Sequence, residues 1–314
     1  MKTSQDLVAL GKTDIMITTI GVGTWAWGDR LMWGYGSSSY NDVDIREAFD
    51  ASLEYGTNWF DTAEVYGMGR SERFLGNFIP SASKKVLVAT KFFPFPWRIC
   101  KQAMLRSIKN SLKRLQLSNV DLYQIHTPIG RWSKPEFVST LVDAVNAGLT
   151  RAVGVSNFNT QKTRLAHETL QAAGVPLVSN QVEYSLLDRR IEKNGLLDYC
   201  LENDITVIAY SPLAKGMLTG KYGSENPPPG PRKRIYPPEK LHKLQPLITR
   251  LNEIGAGHGK TPTQVALNWT ICKGTVPIPG AKNAKQAAEN LGAMGWRLRP
   301  EEMVALDQAS SLPD

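Results

Sequence analysis

The sequence predicts an α/β protein built as a closed (β/α)8 barrel, the TIM-barrel architecture. Short apolar runs recur along the chain, helix-length segments separate them, and there are eight such runs. Near-continuous apolar strands joined by helical crossovers are typical of parallel sheets that are covered on both faces. Eight such units favour a closed barrel over an open, doubly wound sheet. Because no shift in composition marks a boundary, we expect residues 1–314 to form one domain.

The eight expected strands are rich in β-branched and apolar residues, which fit a pleated, buried sheet. They cover residues 20–25, 57–61, 86–91, 120–126, 152–156, 177–184, 206–210 and 275–279.

The segments between these strands repeat apolar residues with a period near that of an α-helix. Helical patterns cover residues 41–56, 71–78, 100–115, 135–147, 161–173, 195–202, 238–254 and 263–271. Asn41 is a good N-cap for the first pattern, and Gly56 a good end for it. The Pro/Gly-rich, basic stretch 221–238 predicts a mobile loop rather than a linker, because the alternating pattern resumes after it.

Composition limits the classes of partner. Lys and Arg outnumber Asp and Glu by 37 to 29, which suggests an anionic ligand. The basic residues are dispersed, so a phosphorylated small molecule is favoured and nucleic acid is not expected. The three cysteines lie far apart and the histidines lack metal-ligand spacing, so we expect neither a disulfide framework nor a bound metal.

Targeting and membrane signals are weak in this sequence. No run approaches the roughly 18 apolar residues of a membrane span, and the N-terminal stretch lacks the features of a signal or transit peptide. We therefore expect no membrane association and a cytoplasmic location, or the plastid stroma if a transit peptide has been removed.

Four ionisable residues stand where the active site of a closed barrel lies, at the C-terminal ends of the strands. They are Asp61, Tyr66, Lys91 and His126. A phenol has a pKa near 10, and an adjacent ammonium such as that of Lys91 would lower it toward the working range. Asp61 would keep Lys91 charged and oriented, while His126 would hydrogen-bond the group that Tyr66 protonates. A lone Lys or Asp at a strand end is usually solvated, and a lone His usually satisfies a local hydrogen bond, but the coincidence of four such residues favours catalysis.

Longer motifs at the same positions resemble the aldo-keto reductase superfamily. They include GVGTWAWG, WFDTAEVYG, SERFLG, DLYQIH, GVSNF, NQVEYS, AYSPLAKGMLTGKY and IPGAKNAKQAAENLG, in family order over nearly the whole chain. The resemblance implies a barrel opened by an N-terminal β-hairpin and followed by extra C-terminal helices. It also implies a nicotinamide cofactor bound without a Rossmann domain, and it assigns the four residues above as the catalytic tetrad.

The resemblance implies a set of cofactor-binding residues as well. Ser156, Asn157 and Gln181 match the carboxamide ligands, and Tyr210 matches the ring that stacks on the nicotinamide. The residues expected along the pyrophosphate are Ser211, Pro212, Leu213, Gly216 and Lys221, and those expected around the adenosine phosphate and adenine are Gly280, Lys282, Gln286, Glu289 and Asn290. Trp25 is counted with this set; with Trp27, Trp33 and Trp97 it either packs the hairpin and loops or lines the carbonyl pocket.

Two differences from the aldose-reductase branch indicate which branch of the superfamily the chain resembles. Gly280 and Ala281 stand where the aldose-reductase branch has Lys-Ser, and Gln286 stands at that branch's arginine. The pattern is most similar to the branch of potassium-channel β subunits, bacterial general-stress reductases and plant or cyanobacterial plastid-type reductases. Recognition of a 2′-phosphate would then depend on Lys282, Lys221 and Arg232, and we expect NADPH as the cofactor.

These observations predict an NADPH-dependent reduction of an aldehyde or ketone to the alcohol, with Tyr66 as proton donor. The substrate stays open among aldehydes, steroid-like or terpenoid ketones and pyridoxal. The alternative is a redox-sensing, nucleotide-binding interaction module with vestigial turnover, against which the intact tetrad argues. The expected partner is a small carbonyl compound, and the expected state is a monomer.

Overall fold

A computed structural model of the protein describes residues 6–36, 40–229 and 232–311. Its sheet confirms the expected (β/α)8 fold. A short antiparallel hairpin, β1 (Leu7–Ala9) and β2 (Met16–Thr18), precedes eight parallel strands that follow one another in chain order. These are β3 (Val22–Gly23), β4 (Trp59–Asp61), β5 (Leu87–Phe92), β6 (Val120–Ile125), β7 (Thr150–Ser156), β8 (Leu177–Glu183), β9 (Thr206–Tyr210) and β10 (Val276–Pro277).

Backbone hydrogen bonds between the first and last parallel strands close the sheet. The Gly21 N–H donates to the Pro277 carbonyl at 3.0 Å, and the Gly23 N–H donates to the Pro279 carbonyl at 3.1 Å. A Cβ on Gly23 would lie 2.7 Å from the Ile278 carbonyl oxygen, so closure at this point requires glycine.

The hairpin covers the end of the barrel where the strands begin. Leu10, Ile15 and Ile17 are buried against the inward residues of the strands, which include Trp59 and Leu122. Because side chains alternate along a strand, the next inward residues lie two positions further along, and several of these are polar. An apolar layer thus seals one end of the barrel, and polar side chains collect at the other.

The helices surround the barrel and extend beyond it. They are α1 (Asp42–Glu54), α2 (Arg70–Phe78), α3 (Lys101–Leu115), α4 (Pro135–Val138), α5 (Thr140–Asn146), α6 (Thr160–Ala172), α7 (Arg190–Lys193), α8 (Leu196–Glu202), α9 (Arg232–Ile235), α10 (Pro238–His258), α11 (Pro262–Cys272), α12 (Ala284–Leu291) and α13 (Pro300–Ala309). Within the described residues, no helix combines the length and apolarity that crossing a membrane requires.

Three helical segments differ from the expectation. The single helix expected over 135–147 is divided at Ser139, whose hydroxyl donates to the Glu136 carbonyl at 3.0 Å and competes with the helical ladder. The short α7 was not expected. The stretch 221–238, expected as a loop, contains α9, while residues 230 and 231 of that stretch lie outside the described part.

Candidate active site

A buried ion pair lies at the centre of the polar end of the barrel. The Lys91 ammonium contacts the Asp61 carboxylate and donates to the Thr62 carbonyl at 2.9 Å, and the Lys91 and Asp61 side chains are 0% and 1% exposed. Gln181 Nε2 donates to the second carboxylate oxygen at 2.8 Å, and Gln124 Nε2 approaches it at 3.4 Å. A buried pair is held only where its remaining polar atoms are also satisfied, and this condition is met for Asp61.

Tyr66 lies beside this pair at the start of the 3-10 segment Tyr66–Gly69. Its hydroxyl oxygen is 3.4 Å from Lys91 Nζ. The Trp25 ring stacks on the phenol at a centroid distance of 6.3 Å, and the half-buried His126 ring meets it edge-on at 5.7 Å. The structure therefore brings the four residues of the expected tetrad together, with Trp25 next to them.

The protonation states follow from burial. Burial raises the pKa of the Tyr66 phenol well above its ordinary value, and the Asp61 carboxylate acts in the same direction. The expectation that Lys91 lowers this pKa into the working range is wrong for the cofactor-free protein. The reason is that burial removes the water that would solvate a phenolate, and the negative charge of Asp61 disfavours a second negative charge beside it. Tyr66 consequently holds its proton at neutral pH.

His126 is neutral for a related reason. Burial, with the Lys91 charge acting in the same direction, lowers the pKa of its imidazole to about 3. A neutral imidazole carries one N–H donor and one acceptor nitrogen. Its buried Nδ1 atom has no hydrogen-bond partner among the residues described. The ring can therefore exchange a hydrogen bond with a group that enters the barrel mouth.

The residues expected to bind a carboxamide form a chain of hydrogen bonds next to the tetrad. The Ser156 hydroxyl donates to the Gln181 carbonyl at 2.8 Å. Asn157, in the left-handed region with φ of 62°, donates to the His126 carbonyl at 3.0 Å. The Tyr210 hydroxyl donates to Asn157 Oδ1 at 3.0 Å. Since Gln181 also contacts Asp61, this group and the tetrad share one network.

The turn after β9 is strained where the pyrophosphate residues are expected. Ser211, Ala214 and Lys215 have φ values of 51°, 48° and 57°, and Gly216 has a φ of 97°. Left-handed conformations in residues other than glycine cost energy and cluster at ligand-binding turns. Pro212 and Leu213 lie inside this turn, and Lys221 follows it.

Lys282 lies over two aromatic rings. Its ammonium is 4.9 Å from the centroid of the Trp33 ring and 4.6 Å from that of Tyr40, and it donates to the Trp33 carbonyl at 3.1 Å. Burial, followed by the charges of Arg232 and Lys221, lowers the pKa of Lys282 to about 8.

Arg232 completes a cluster of three cations. Its guanidinium lies 5.9 Å from the Trp33 centroid and donates to the Lys215 carbonyl at 3.0 Å. Among the described residues, Lys221, Arg232 and Lys282 form no ion pair with a carboxylate. Neighbouring cations without counter-ions repel, and this donor set fits the phosphates of a nicotinamide dinucleotide.

The residues expected at the adenosine end form a smaller group around the start of α12. Asn290 donates to the Gly280 carbonyl at 3.1 Å, and the Lys282 N–H donates to Gln286 Oε1 at 2.9 Å. Glu289 instead accepts a hydrogen bond from the hydroxyl of Thr261, the N-cap of α11, at 2.5 Å. The structure thus connects Gly280, Lys282, Gln286 and Asn290, while the Glu289 carboxylate joins α12 to α11.

One residue of the tetrad network was missed in the sequence. Gln124, whose amide approaches Asp61, precedes His126 by two positions in β6. His126 was chosen because it follows the end of this strand, and since residues two apart on a strand face the same side, alternation back from His126 could have indicated Gln124.

Comparison with known proteins identifies the family. The model of the aldo/keto reductase family matches residues 19–311, and the chain belongs to that family. It is therefore an NADP-dependent oxidoreductase whose substrates are small carbonyl compounds. It is 42% identical to the chloroplastic pyridoxal reductase of Arabidopsis thaliana, over 94% of this chain and 84% of that protein. It is 31% identical to the NADP(+) aldo-keto reductase yakc of Schizosaccharomyces pombe, over 93% of this chain and 88% of that protein.

Solved structures of similar proteins have the same fold. The glycerol dehydrogenase of Gluconobacter oxydans superposes with a TM-score of 0.85 at 27% identity, covering 98% of this chain and 95% of that one. An aldo/keto reductase of Klebsiella pneumoniae in complex with NADP and acetate gives a TM-score of 0.77 at 28% identity, covering 98% and 96%.

Proposed function

We propose that this protein reduces an aldehyde or ketone to the alcohol, with Tyr66 as the proton donor. The observation that supports this most strongly is the position of the Tyr66 hydroxyl, 3.4 Å from Lys91 Nζ and beside the neutral His126 ring. Bound NADPH supplies the hydride. Because burial raises the pKa of the phenol, Tyr66 carries the proton that the developing alkoxide requires.

The other members of the tetrad have separate tasks in this proposal. Asp61 keeps the buried Lys91 ammonium charged and in place. That ammonium stabilises the Tyr66 phenolate left after proton transfer, and it takes effect only then, when a negative charge appears next to it. His126 donates a hydrogen bond to the substrate oxygen, which its neutral ring can do throughout the physiological pH range.

The cofactor assignments belong to the same proposal. Ser156, Asn157 and Gln181 would hold the carboxamide, and Tyr210 would pack against the nicotinamide ring. The strained turn 211–216 and Lys221 would bind the pyrophosphate, and Lys282 would bind the 2′-phosphate. Arg232 lies on the segment that closes over the phosphates.

Pyridoxal is the first substrate to test, because the Arabidopsis relative is named a pyridoxal reductase. It is an aldehyde on a planar aromatic ring, and the barrel mouth presents the Trp25 ring beside Tyr66. The panel should also contain aliphatic aldehydes and cyclic ketones, with consumption of NADPH followed by its absorbance.

Tyr66→Phe tests the proton donor, because it removes one hydroxyl and keeps the ring. Turnover should fall by about 10²- to 10⁴-fold while the dissociation constant of NADPH stays unchanged. Tyr199→Phe is the matched control, since the Tyr199 hydroxyl hydrogen-bonds His167 on the outer helices at 3.0 Å and has no other hydrogen-bond partner among the described residues. Near-normal kcat in Tyr66→Phe would assign the proton to another group. Tight NADPH binding without turnover of any carbonyl by the parent would favour the redox-sensing alternative.

A further inference from the structure

A second buried carboxylate, that of Glu64, lies two residues before Tyr66 and outside the tetrad. Its side chain is only 8% exposed and accepts four hydrogen bonds. The Phe93 N–H donates to Oε1 at 2.6 Å and the Ser107 hydroxyl donates to Oε2 at 2.7 Å. Arg98 binds both oxygens, with Nη2 3.0 Å from Oε2. Glu64 therefore joins the turn that carries Tyr66 to the loop after β5 and to α3.

Arg98 holds that loop from its other end. Its guanidinium donates to the Phe93 carbonyl at 2.9 Å and lies 5.0 Å and 5.2 Å from the centroids of the Phe92 and Phe95 rings. Trp132 in turn donates to the Arg98 carbonyl at 2.8 Å. A bidentate guanidinium–carboxylate pair fixes direction as well as distance. The loop from residue 93 to 98 thus depends on Glu64 at one end and on Arg98 at the other.

This loop carries a row of aromatic rings that begins at the tetrad. The Phe93 ring meets His126 edge-on at 5.5 Å, and Phe95 follows Phe93 at 4.7 Å. Trp97 stacks on Phe95 at 4.7 Å with an interplanar angle of 8°, and it is 72% exposed. We refer to Phe93, Phe95 and Trp97 as the aromatic row. It extends an apolar, planar surface from the imidazole toward solvent.

We propose that Glu64 and Arg98 are a pair of positioning residues that hold the aromatic row against the Tyr66 turn and thereby favour carbonyl compounds carrying a planar ring. This inference rests on the proposed carbonyl reduction. The Tyr66 turn has other supports, since the Tyr66 N–H donates to the Ala63 carbonyl at 3.0 Å. Backbone hydrogen bonds from the Phe95 N–H to the Phe93 carbonyl and from the Arg98 N–H to the Phe95 carbonyl, both 2.9 Å, shape the loop internally. The Phe93 N–H, in contrast, is tied to the Tyr66 turn through the Glu64 carboxylate. Loss of the pair should therefore change substrate selectivity more than proton transfer.

Glu64→Gln is the informative variant, because it keeps the shape of the side chain and removes its charge. We expect kcat/KM for 4-nitrobenzaldehyde to fall by about tenfold or more, since a ring misplaced by an ångström is no longer held for reaction. The kcat/KM for propanal, which has no ring to pack along the row, should stay nearly unchanged, as should the dissociation constant of NADPH. Arg98→Lys keeps the positive charge but loses bidentate geometry, and it should give an intermediate selectivity.

The chain offers a closely matched control in Glu72. Its side chain is fully buried, accepts from Arg114 Nε at 2.6 Å and from the Thr90 hydroxyl at 2.7 Å, and its arginine is as exposed as Arg98. Glu72→Gln should lower stability without altering the ratio of the two kcat/KM values. A Glu64→Gln/Arg98→Met double variant should lose no more selectivity than Glu64→Gln alone or Arg98→Met alone, because the two residues act as a unit. Equal losses for both aldehydes in Glu64→Gln, or additive losses in the double variant, would overturn the proposal.

A readout without turnover separates this proposal from the proposed function. Amide hydrogen exchange over residues 93–98 should accelerate in Glu64→Gln and not in Glu72→Gln, and quenching of tryptophan fluorescence by 4-nitrobenzaldehyde should weaken in the former alone. If the parent reduces neither aldehyde, the proposed function fails. The hydrogen-exchange and fluorescence-quenching measurements then still decide whether Glu64 positions the loop. Unchanged exchange and quenching in Glu64→Gln would refute it whatever the activity.

Discussion

Binding of NADPH should weaken as the pH rises above about 8, and binding of NADH should not. The lowered pKa of Lys282, about 8, is the reason. An ordinary lysine keeps its charge to about pH 10, whereas Lys282 in the free protein is about nine-tenths charged at pH 7 and about one-tenth charged at pH 9. A 2′-phosphate binds the charged form, so above this pKa each binding event must take up a proton.

The sign and size follow from this linkage. Between pH 7 and this pKa the affinity should change little, and from pH 7 to pH 9 the dissociation constant for NADPH should rise by up to about tenfold, the loss expected when the charge is removed. Lys282→Ala should raise that constant at pH 7 by about tenfold or more, about 1.4 kcal/mol, and should remove the dependence between pH 8 and pH 9. NADH, which has no 2′-phosphate, should change little in either experiment.

Fluorescence titration of both cofactors at pH 7, 8 and 9 is the assay. Lys285→Ala is a suitable control, because Lys285 is exposed in the first turn of α12, three residues after Lys282, and shares the general positive potential of the surface. Equal losses of NADH and NADPH affinity in Lys282→Ala, or a flat pH dependence for the parent, would refute the assignment of Lys282 to the 2′-phosphate.

Three further predictions concern single residues. Lys91→Met leaves Asp61 buried without its counter-ion, so chemical denaturation should show that the free energy of unfolding falls by about 3–5 kcal/mol. The rate of reduction should also fall and its pH profile should shift. A rate and a pH profile equal to those of the parent would remove Lys91 from the mechanism. Arg232→Ala breaks the contact with the Lys215 carbonyl, so stopped-flow measurements should show faster release of both nucleotides; unchanged rates would exclude this arginine from the closing segment. The pKa of His126 is about 3 in the folded state and about 6.5 when unfolded, so the unfolded state binds its proton more tightly and stability should fall with decreasing pH below about 6.5. Between pH 7 and pH 5 this effect lowers the free energy of unfolding by about 2 kcal/mol, and His126→Gln should abolish that decrease. An unchanged decrease in the variant would show that the folded protein does not bury a neutral His126.

The order of strands and the residues at their ends could be read from the chain, because both depend on local periodicity. The strand ending at Asp61 and the one carrying Lys91 appear where the apolar runs predicted them. The helix over 135–147 could not be placed correctly, since its division at Ser139 depends on a hydroxyl choosing one carbonyl over the helical ladder. Such local competition is decided by small energy differences that the apolar pattern does not record.

The sequence allowed the prediction that the tetrad residues meet, because a closed barrel brings successive strand ends to one mouth. These residues are Asp61, Tyr66, Lys91 and His126. The direction of the Tyr66 pKa shift was not predictable, because it depends on how far neighbouring elements exclude water from the phenol and on the Asp61 charge beside it. The role of Glu64 was also hidden, since its partners Phe93, Arg98 and Ser107 are remote in sequence and reach it only when α3 and the loop after β5 pack together. The periodicity of the sequence and the residues at the strand ends thus determine the barrel and the chemical groups at its mouth. The protonation states and exact positions of those groups depend on desolvation and on long-range hydrogen bonds, which exist only in the folded chain.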